Sequence, residues 1–234
     1  MSQAAGGSAV LEKLSNPTTR FVQGSTGGDR NPLSGSVQVQ AYTSYLDLQH
    51  AVDTGGVSPG TRALLYDPEQ WSFTPVAEQR DPVAYTRLAA RLAHARSLRL
   101  IATPAVNLAL LAPHRLGADK YDAFVDSPVL QLARYADIVE VQSQQLEGTP
   151  RYVSFLQAAT ASIRAISPTA EMLAGMSTAP LGDAVSSQSL FNDYISTRGL
   201  VKGYWLNIPQ QSSHCPSCRN LGAEAAVAFL NRVR

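Results

Sequence analysis

The sequence predicts an α/β fold, a TIM-type (β/α)8 barrel that is short or irregular in its first units. Three observations carry this expectation. Six strand-like segments, 37–43, 62–67, 98–104, 138–143, 171–176 and 200–207, are each followed by a helix-like one. No glycine-rich phosphate loop follows any of them, which removes the usual fingerprint of an open doubly wound sheet. The strands also carry polar residues at alternate positions, read as inward-facing: Gln38, Gln40 and Tyr42 share a face, as do Glu140 and Gln142, and Trp205 and Asn207. Short β–α connections imply parallel strands, because each crossover helix returns the chain to the same edge.

The elements follow from local chemistry. Residues 1–36 are rich in Gly, Ser, Asn and Thr and contain one short apolar run at 20–23. They read as an irregular N-terminal arm, with Phe21-Val22 as the candidate first strand. The remainder, 37–234, reads as a single barrel domain, because no linker divides it. Ser44 is placed to cap the helix after the first clear strand, and Gly55-Gly56 to end it. Stretch 71–80 reads as a loop. Asp81-Pro82 then opens a helix with the acid at N-cap and proline at N1. Stretch 107–126 leads into a helix ending near Tyr135. In 150–166 apolar residues recur at helical spacing, and 186–197 and 224–233 read as the last two helices.

Composition narrows the function classes. Of 234 residues 44% are hydrophobic, enough for one sizeable core. Charged residues make up 16%, below the usual level of about 25%. With a net charge of +1 and scattered Lys and Arg, nucleic acid is not an expected partner. No apolar run approaches the ~18 residues of a membrane span. The first residues lack a signal-peptide pattern, so the chain is expected to be cytoplasmic as written, or a secreted or cell-envelope form whose leader was removed. Cys215 and Cys218 form a C-x-x-C pair. The leading reading is a local disulfide. Reduced structural thiols are the second, and a metal half-site beside His214 the third, since a structural zinc needs four ligands. No metal or other cofactor is expected.

The chemistry-bearing residues gather where strands stop. Carboxyl ends of parallel strands are where ligands bind in α/β folds. Asp67 and Glu69 flank Pro68, which bends the chain out of the ladder. Glu140 lies in an otherwise apolar strand, where a carboxylate is costly unless paired or hydrogen-bonded. These three are the catalytic candidates; a turn cap, a solvated acid and a structural network are the respective alternatives. Gln142, Asn207, Gln40 and Tyr42 are binding candidates. The aromatic binding candidates are Tyr66, Trp205 and Trp71, the last beside Phe73 in a loop suited to a lid or platform. His50, His94, His114 and His214 are scattered, and no serine sits in a G-x-S-x-G elbow.

The chain resembles a group of actinobacterial secreted or cell-envelope TIM-barrel proteins of unassigned function, and more broadly glycoside hydrolases built on barrels. The residues carrying the likeness are Leu65-Tyr66-Asp67-Pro68-Glu69-Gln70-Trp71, Ala136-Asp137-Ile138-Val139-Glu140-Val141-Gln142, Leu173-Ala174-Gly175-Met176-Ser177-Thr178 and Gly203-Tyr204-Trp205-Leu206-Asn207. Asp67-Pro68-Glu69 and Trp205 are also similar to the strand-end acid motif and last-strand tryptophan of chitinase-type barrels. Ala63 and Leu65 stand where that family carries further acids. The resemblance implies a glycosidase-like hydrolase acting on a carbohydrate with Glu69 and Glu140 as its acid and base pair and Asp67 adjusting one of them. Two alternatives stand beside it: a non-catalytic barrel binding a glycan or other small molecule, and a biosynthetic lyase or cyclase using Glu140 as base.

Overall fold

A computed structural model describes residues 7–25, 33–112, 117–180, 182–209 and 222–233. Seven strands form one sheet: β1 (Arg20–Gln23), β2 (Val37–Tyr42), β3 (Thr61–Tyr66), β4 (Arg99–Ala102), β5 (Ile138–Val141), β6 (Glu171–Ser177) and β7 (Gly203–Asn207). Their spatial order is their sequence order, and every neighbouring pair is parallel. A doubly wound sheet must reverse its strand order at a switch point; this one never does. All crossovers therefore lie on one face and the other face curls inward, as in a TIM-type barrel.

The core confirms the two faces. Val39, Ala63, Leu65, Ile101, Ile138 and Leu173 pack together inside the curl with Val22, Ala41 and Trp205. The alternate residues Tyr42, Leu64, Tyr66 and Leu100 pack outward, against α2 (Tyr45–Thr54) and α4 (Pro82–His94). Val139, Val141, Met172, Ala174 and Met176 pack outward against α6 (Pro150–Ile166) and its neighbours.

No ladder joins β1 to β7 among the described residues, so the barrel is open there. At its N-terminal end the curl is crossed by charge: Glu171 on β6 meets Arg99 on β4 at 2.9 Å and Arg20 on β1 at 3.6 Å. The chain ends also meet. Helix α1 (Gly7–Leu14), which the glycine-rich composition hid, extends Lys13 to the carbonyl oxygens of Leu230 and Val233 at the end of α8 (Ala223–Arg232). Phe21-Val22 do lie in a first strand, paired with β2.

Helix ends follow the local signals. Ser44 Oγ accepts from the Leu46 and Asp47 N–H groups at the start of α2, and Gly55 closes it in the left-handed region at φ 74°. Asp81 caps α4 ahead of Pro82. Two expectations are corrected. The 71–80 loop contains the short helix α3 (Val76–Arg80). The stretch up to Tyr135 is split into a 3-10 segment (Val106–Leu111), α5 (Lys120–Val125) and a second 3-10 segment (Pro128–Arg134), because Ser127 caps a new start and Pro128 cannot continue α5. The remaining helix, α7 (Ser187–Thr197), precedes β7. No described helix is long and apolar enough to cross a membrane. Cys215, Cys218, His214 and His114 lie outside the described residues.

Candidate functional site

Strand periodicity places alternate side chains inside the curl, and the last inward residue of each strand faces its C-terminal mouth. On β3 the inward series is Ala63, Leu65 and then Asp67. On β4 it continues from Ile101 to Thr103, on β5 from Ile138 through Glu140 to Gln142, and on β7 from Trp205 to Asn207. Leu65, Asp67, Glu69, Thr103, Glu140, Gln142, Trp205 and Asn207 all line one cavity of about 840 Å³. Lys120, Tyr121, Gln144, Gln145 and Ser177 complete its polar wall, and Val106, Ala179, Ile208 and Pro209 belong to its apolar wall.

Asp67 is held from two sides. Its Oδ1 accepts from Thr103 Oγ1 at 2.6 Å and from Gln142 Nε2 at 3.4 Å. Gln142 also donates to the Thr103 carbonyl at 3.0 Å, which locks the amide between β4 and β5. Part of Asp67 still faces the open cavity, but protein surrounds most of it. Desolvation, reinforced by the charge of Glu69, pushes its pKa up to about 7 against the opposing Thr103 hydrogen bond. Glu69 is raised by burial as well, opposed by its hydrogen bond with Gln142.

Glu140 is the deepest of the three, 2% exposed. Its pKa lies well above the usual carboxylate range, first because of burial and then because of the charges of Asp67 and Glu69. The contact from Gln144 Nε2 to Glu140 Oε1, at 3.5 Å, sits at the outer limit of a hydrogen bond. No arginine or lysine contributes to the shift of any of these carboxyl groups. Burial and the neighbouring acids therefore favour the protonated form of Glu140. Space for its carboxyl group depends on Gly175 of β6, where a Cβ would stand 2.3 Å from Glu140 Oε1 and 2.7 Å from the Gln144 amide. The Gly175 carbonyl is pinned by the hydroxyls of Ser143 at 2.7 Å and Tyr152 at 3.1 Å, so the backbone does not give way easily.

A fourth buried carboxylate shapes the wall. Glu147 Oε1 accepts from the Ser177 N–H at 2.6 Å, and Oε2 from the Gln145 N–H at 2.8 Å. It clasps the loop after β5 to the end of β6. Desolvation raises its pKa to about 7 despite those backbone bonds. Gln145 sits in the left-handed region at φ 80°, unusual for a residue with a side chain. Among the described residues, no group of three or more His, Cys, Asp or Glu side chains is placed to hold a metal ion.

The structure thus brings Asp67, Glu69, Glu140, Gln142, Trp205 and Asn207 together, and places four other candidates elsewhere. Gln40 and Tyr42 point outward, not into the mouth. Gln40 is buried, donating to the Ser25 and Gly56 carbonyls and accepting from the Ser58 N–H, so it ties loops behind the sheet. Tyr42 packs in the helix layer. Tyr66 also points outward, and its hydroxyl donates to Glu78 at 2.8 Å. Trp71 follows Glu69 but does not line the cavity. Its indole N–H donates to Thr74 Oγ1 at 2.8 Å and its ring meets Phe73 edge-on. His50 is exposed on α2, and His94 pairs with Asp137 at 2.9 Å outside the barrel. Thr103, Gln144, Gln145, Lys120 and Gly175 escaped the sequence reading. For Thr103 a signal existed, since it continues the inward series of its strand; for Lys120 none did.

No protein-family model matches the chain, and no curated protein matches it. Among solved structures it is similar to a chitinase from Chromobacterium violaceum ATCC 12472, at 11% identity and a TM-score of 0.49, over 99% of this chain and 97% of that one. It is also similar to the spore cortex-lytic enzyme SleL of Bacillus megaterium QM B1551, at 12% identity and a TM-score of 0.48, over 97% of this chain and 69% of that one.

Proposed function

We propose that the protein is a glycosidase-type hydrolase that takes a carbohydrate into the mouth of the barrel. The observation that supports this most directly is the trio of interacting carboxyl groups, from the ends of two strands, around one polar cavity. Glycoside hydrolysis commonly needs one protonated and one ionised carboxyl group on the two sides of a glycosidic oxygen. Burial favours the protonated form of Glu140, which suits it to donate a proton to the leaving oxygen. Glu69, less deeply buried than Glu140 and hydrogen-bonded by the Gln142 amide, serves as base or nucleophile. Asp67, when ionised, adds negative charge near Glu140 and so reinforces its hold on the proton. Gln142, Gln144 and Asn207 offer amides to sugar hydroxyls, and Trp205 offers a flat apolar face to a ring.

The test is a screen of 4-methylumbelliferyl glycosides and of chitin, cellulose, starch and peptidoglycan for released sugar, repeated with Glu140→Gln. General acid catalysis contributes roughly 10²–10⁴-fold, so the variant should lose that much of kcat while its melting temperature is unchanged. A wild-type protein that binds these glycans without turnover would leave a non-catalytic barrel. A variant that melts lower with full activity per folded molecule would remove Glu140 from catalysis.

A further inference from the structure

Lys120 is the one cation among the described residues that line the cavity. Its sequence neighbours do not neutralise it. Arg151 takes Asp122 at 2.9 Å and binds both carboxylate oxygens of Asp119. Among the described residues Lys120 has no carboxylate partner. Its ammonium group donates to Gln145 Oε1 at 2.7 Å and stands 5.1 Å from the centre of the Tyr121 ring. Both partners are themselves fixed. The Tyr121 hydroxyl donates to the Gln144 carbonyl at 2.5 Å, and Arg151 covers the same ring at 5.5 Å. Gln145 is held in its left-handed backbone conformation by the Glu147 carboxylate. Strain of this kind persists only where the surroundings enforce it, and it gathers at ligand sites. Here it carries the side chain that aims the ammonium group.

The rest of the wall sets which ligand suits this cation. The neutral amides Gln142, Gln144 and Asn207 suit hydroxyl groups, and the carboxyl groups of Asp67 and Glu69 repel an anion that approaches β3. A negative substituent is tolerated only on the Lys120 side, so one charge both binds the ligand and orients it. An ammonium group paired with a single neutral acceptor retains two free N–H donors for a carboxylate.

We propose that Lys120, positioned by Gln145, recognises a carboxylate on the sugar, so that the ligand of this cavity is an acidic saccharide. This rests on the saccharide reading above and names its substrate class. The test is calorimetric titration of the intact protein with matched oligosaccharides of equal length: a β-1,4-glucuronan oligomer against a cello-oligosaccharide, and a disaccharide of N-acetylglucosamine and N-acetylmuramic acid against chitobiose. In at least one pair the acidic member should bind about tenfold more tightly, the scale of one charge-assisted hydrogen bond. Lys120→Met should abolish the preference and Lys120→Arg should retain it, which separates lost charge from lost folding. Equal binding within both pairs, or a preference that survives Lys120→Met, overturns the inference and leaves the hydrolase reading intact. Failure of all four sugars to bind also overturns the inference, and the hydrolase reading falls only if the wider glycan screen shows no turnover as well.

Discussion

Glu78 and Glu140 are both buried glutamates, 1% and 2% exposed, on opposite faces of the same sheet. Their surroundings differ completely. Glu78, on α3, accepts from the Tyr45 N–H at 2.7 Å, the Tyr66 hydroxyl at 2.8 Å, the Ser44 hydroxyl at 3.2 Å and the Leu46 N–H at 3.4 Å. It joins the N-terminus of α2 to β3, and of its four donors Leu46 N–H is shared with Ser44 Oγ at 3.1 Å. Glu140 has one long contact with an amide, two acidic neighbours and a cavity beside it. Burial alone does not separate a structural acid from a reactive one. The supply of donors does: a satisfied acid stabilises the fold, and an unsatisfied one holds its proton and remains available for chemistry.

The largest effect that could break this contrast is on stability. Glu78→Ala strands the buried Tyr45 N–H and the Ser44 and Tyr66 hydroxyls, while Leu46 N–H keeps Ser44 Oγ, and each buried donor left unpaired costs roughly 1–3 kcal/mol. Urea unfolding should show a total loss of about 3 kcal/mol or more. A loss below about 1 kcal/mol would mean that the donors find other partners, and Glu78 would not be the structural member of the pair.

Gly175→Ala acts on the other member. The new Cβ collides with the Glu140 carboxyl group and the Gln144 amide, so the acid must leave its position. Overpacking of this kind costs roughly 1–3 kcal/mol, and turnover or ligand affinity should fall with it. Gly199→Ala is the control, because nothing lies within 4 Å of its Cβ position. Unchanged ligand binding in Gly175→Ala would show that the position of Glu140 is not critical.

A third effect is on pH dependence. Asp67 and Glu147 are each pushed up to about 7, and burial raises Glu140 well above the usual carboxylate range as well. A carboxyl group whose folded pKa is raised contributes stability that is fully present below its unfolded pKa. That contribution is lost as pH rises through the folded value. Stability should thus fall between about pH 4 and about pH 7, and Asp67→Asn should flatten part of that fall. Asp119 is shifted the other way by Arg151, and its contribution changes only at lower pH, outside this window. A stability curve that rises across the window, or has the same slope in Asp67→Asn, would contradict the assignment of these groups as desolvated acids.

Much of the site was legible because strand ends can be read locally. Asp67, Glu69, Glu140, Gln142, Trp205 and Asn207 were picked out by residue type and position, and they line one cavity. The three misplaced strand residues, Gln40, Tyr42 and Tyr66, share a cause. Alternation shows that Gln38, Gln40 and Tyr42 share a face, but not which face points inward. Both faces of a barrel sheet are buried, one in the interior and one under helices, so hydrophobicity does not distinguish them. Gln40 and Tyr42 fell on the helix side, and so did Tyr66, one residue before Asp67.

By itself, then, the sequence determined what local chemistry controls: the alternation of strand and helix, the Ser44 and Asp81-Pro82 starts, the Gly55 stop, and the acids at strand ends. These depend on backbone conformation and on hydrogen bonds within a few residues. Only the tertiary structure decided what depends on distant partners. Glu78 meets Tyr45 and Tyr66 across 33 and 12 positions of sequence. Gly175 makes room for an acid on the neighbouring strand, and Lys120 reaches Gln145 across 25 positions. Whether a buried carboxylate is satisfied is settled by which donors the fold brings to it, and no spacing within the chain encodes that.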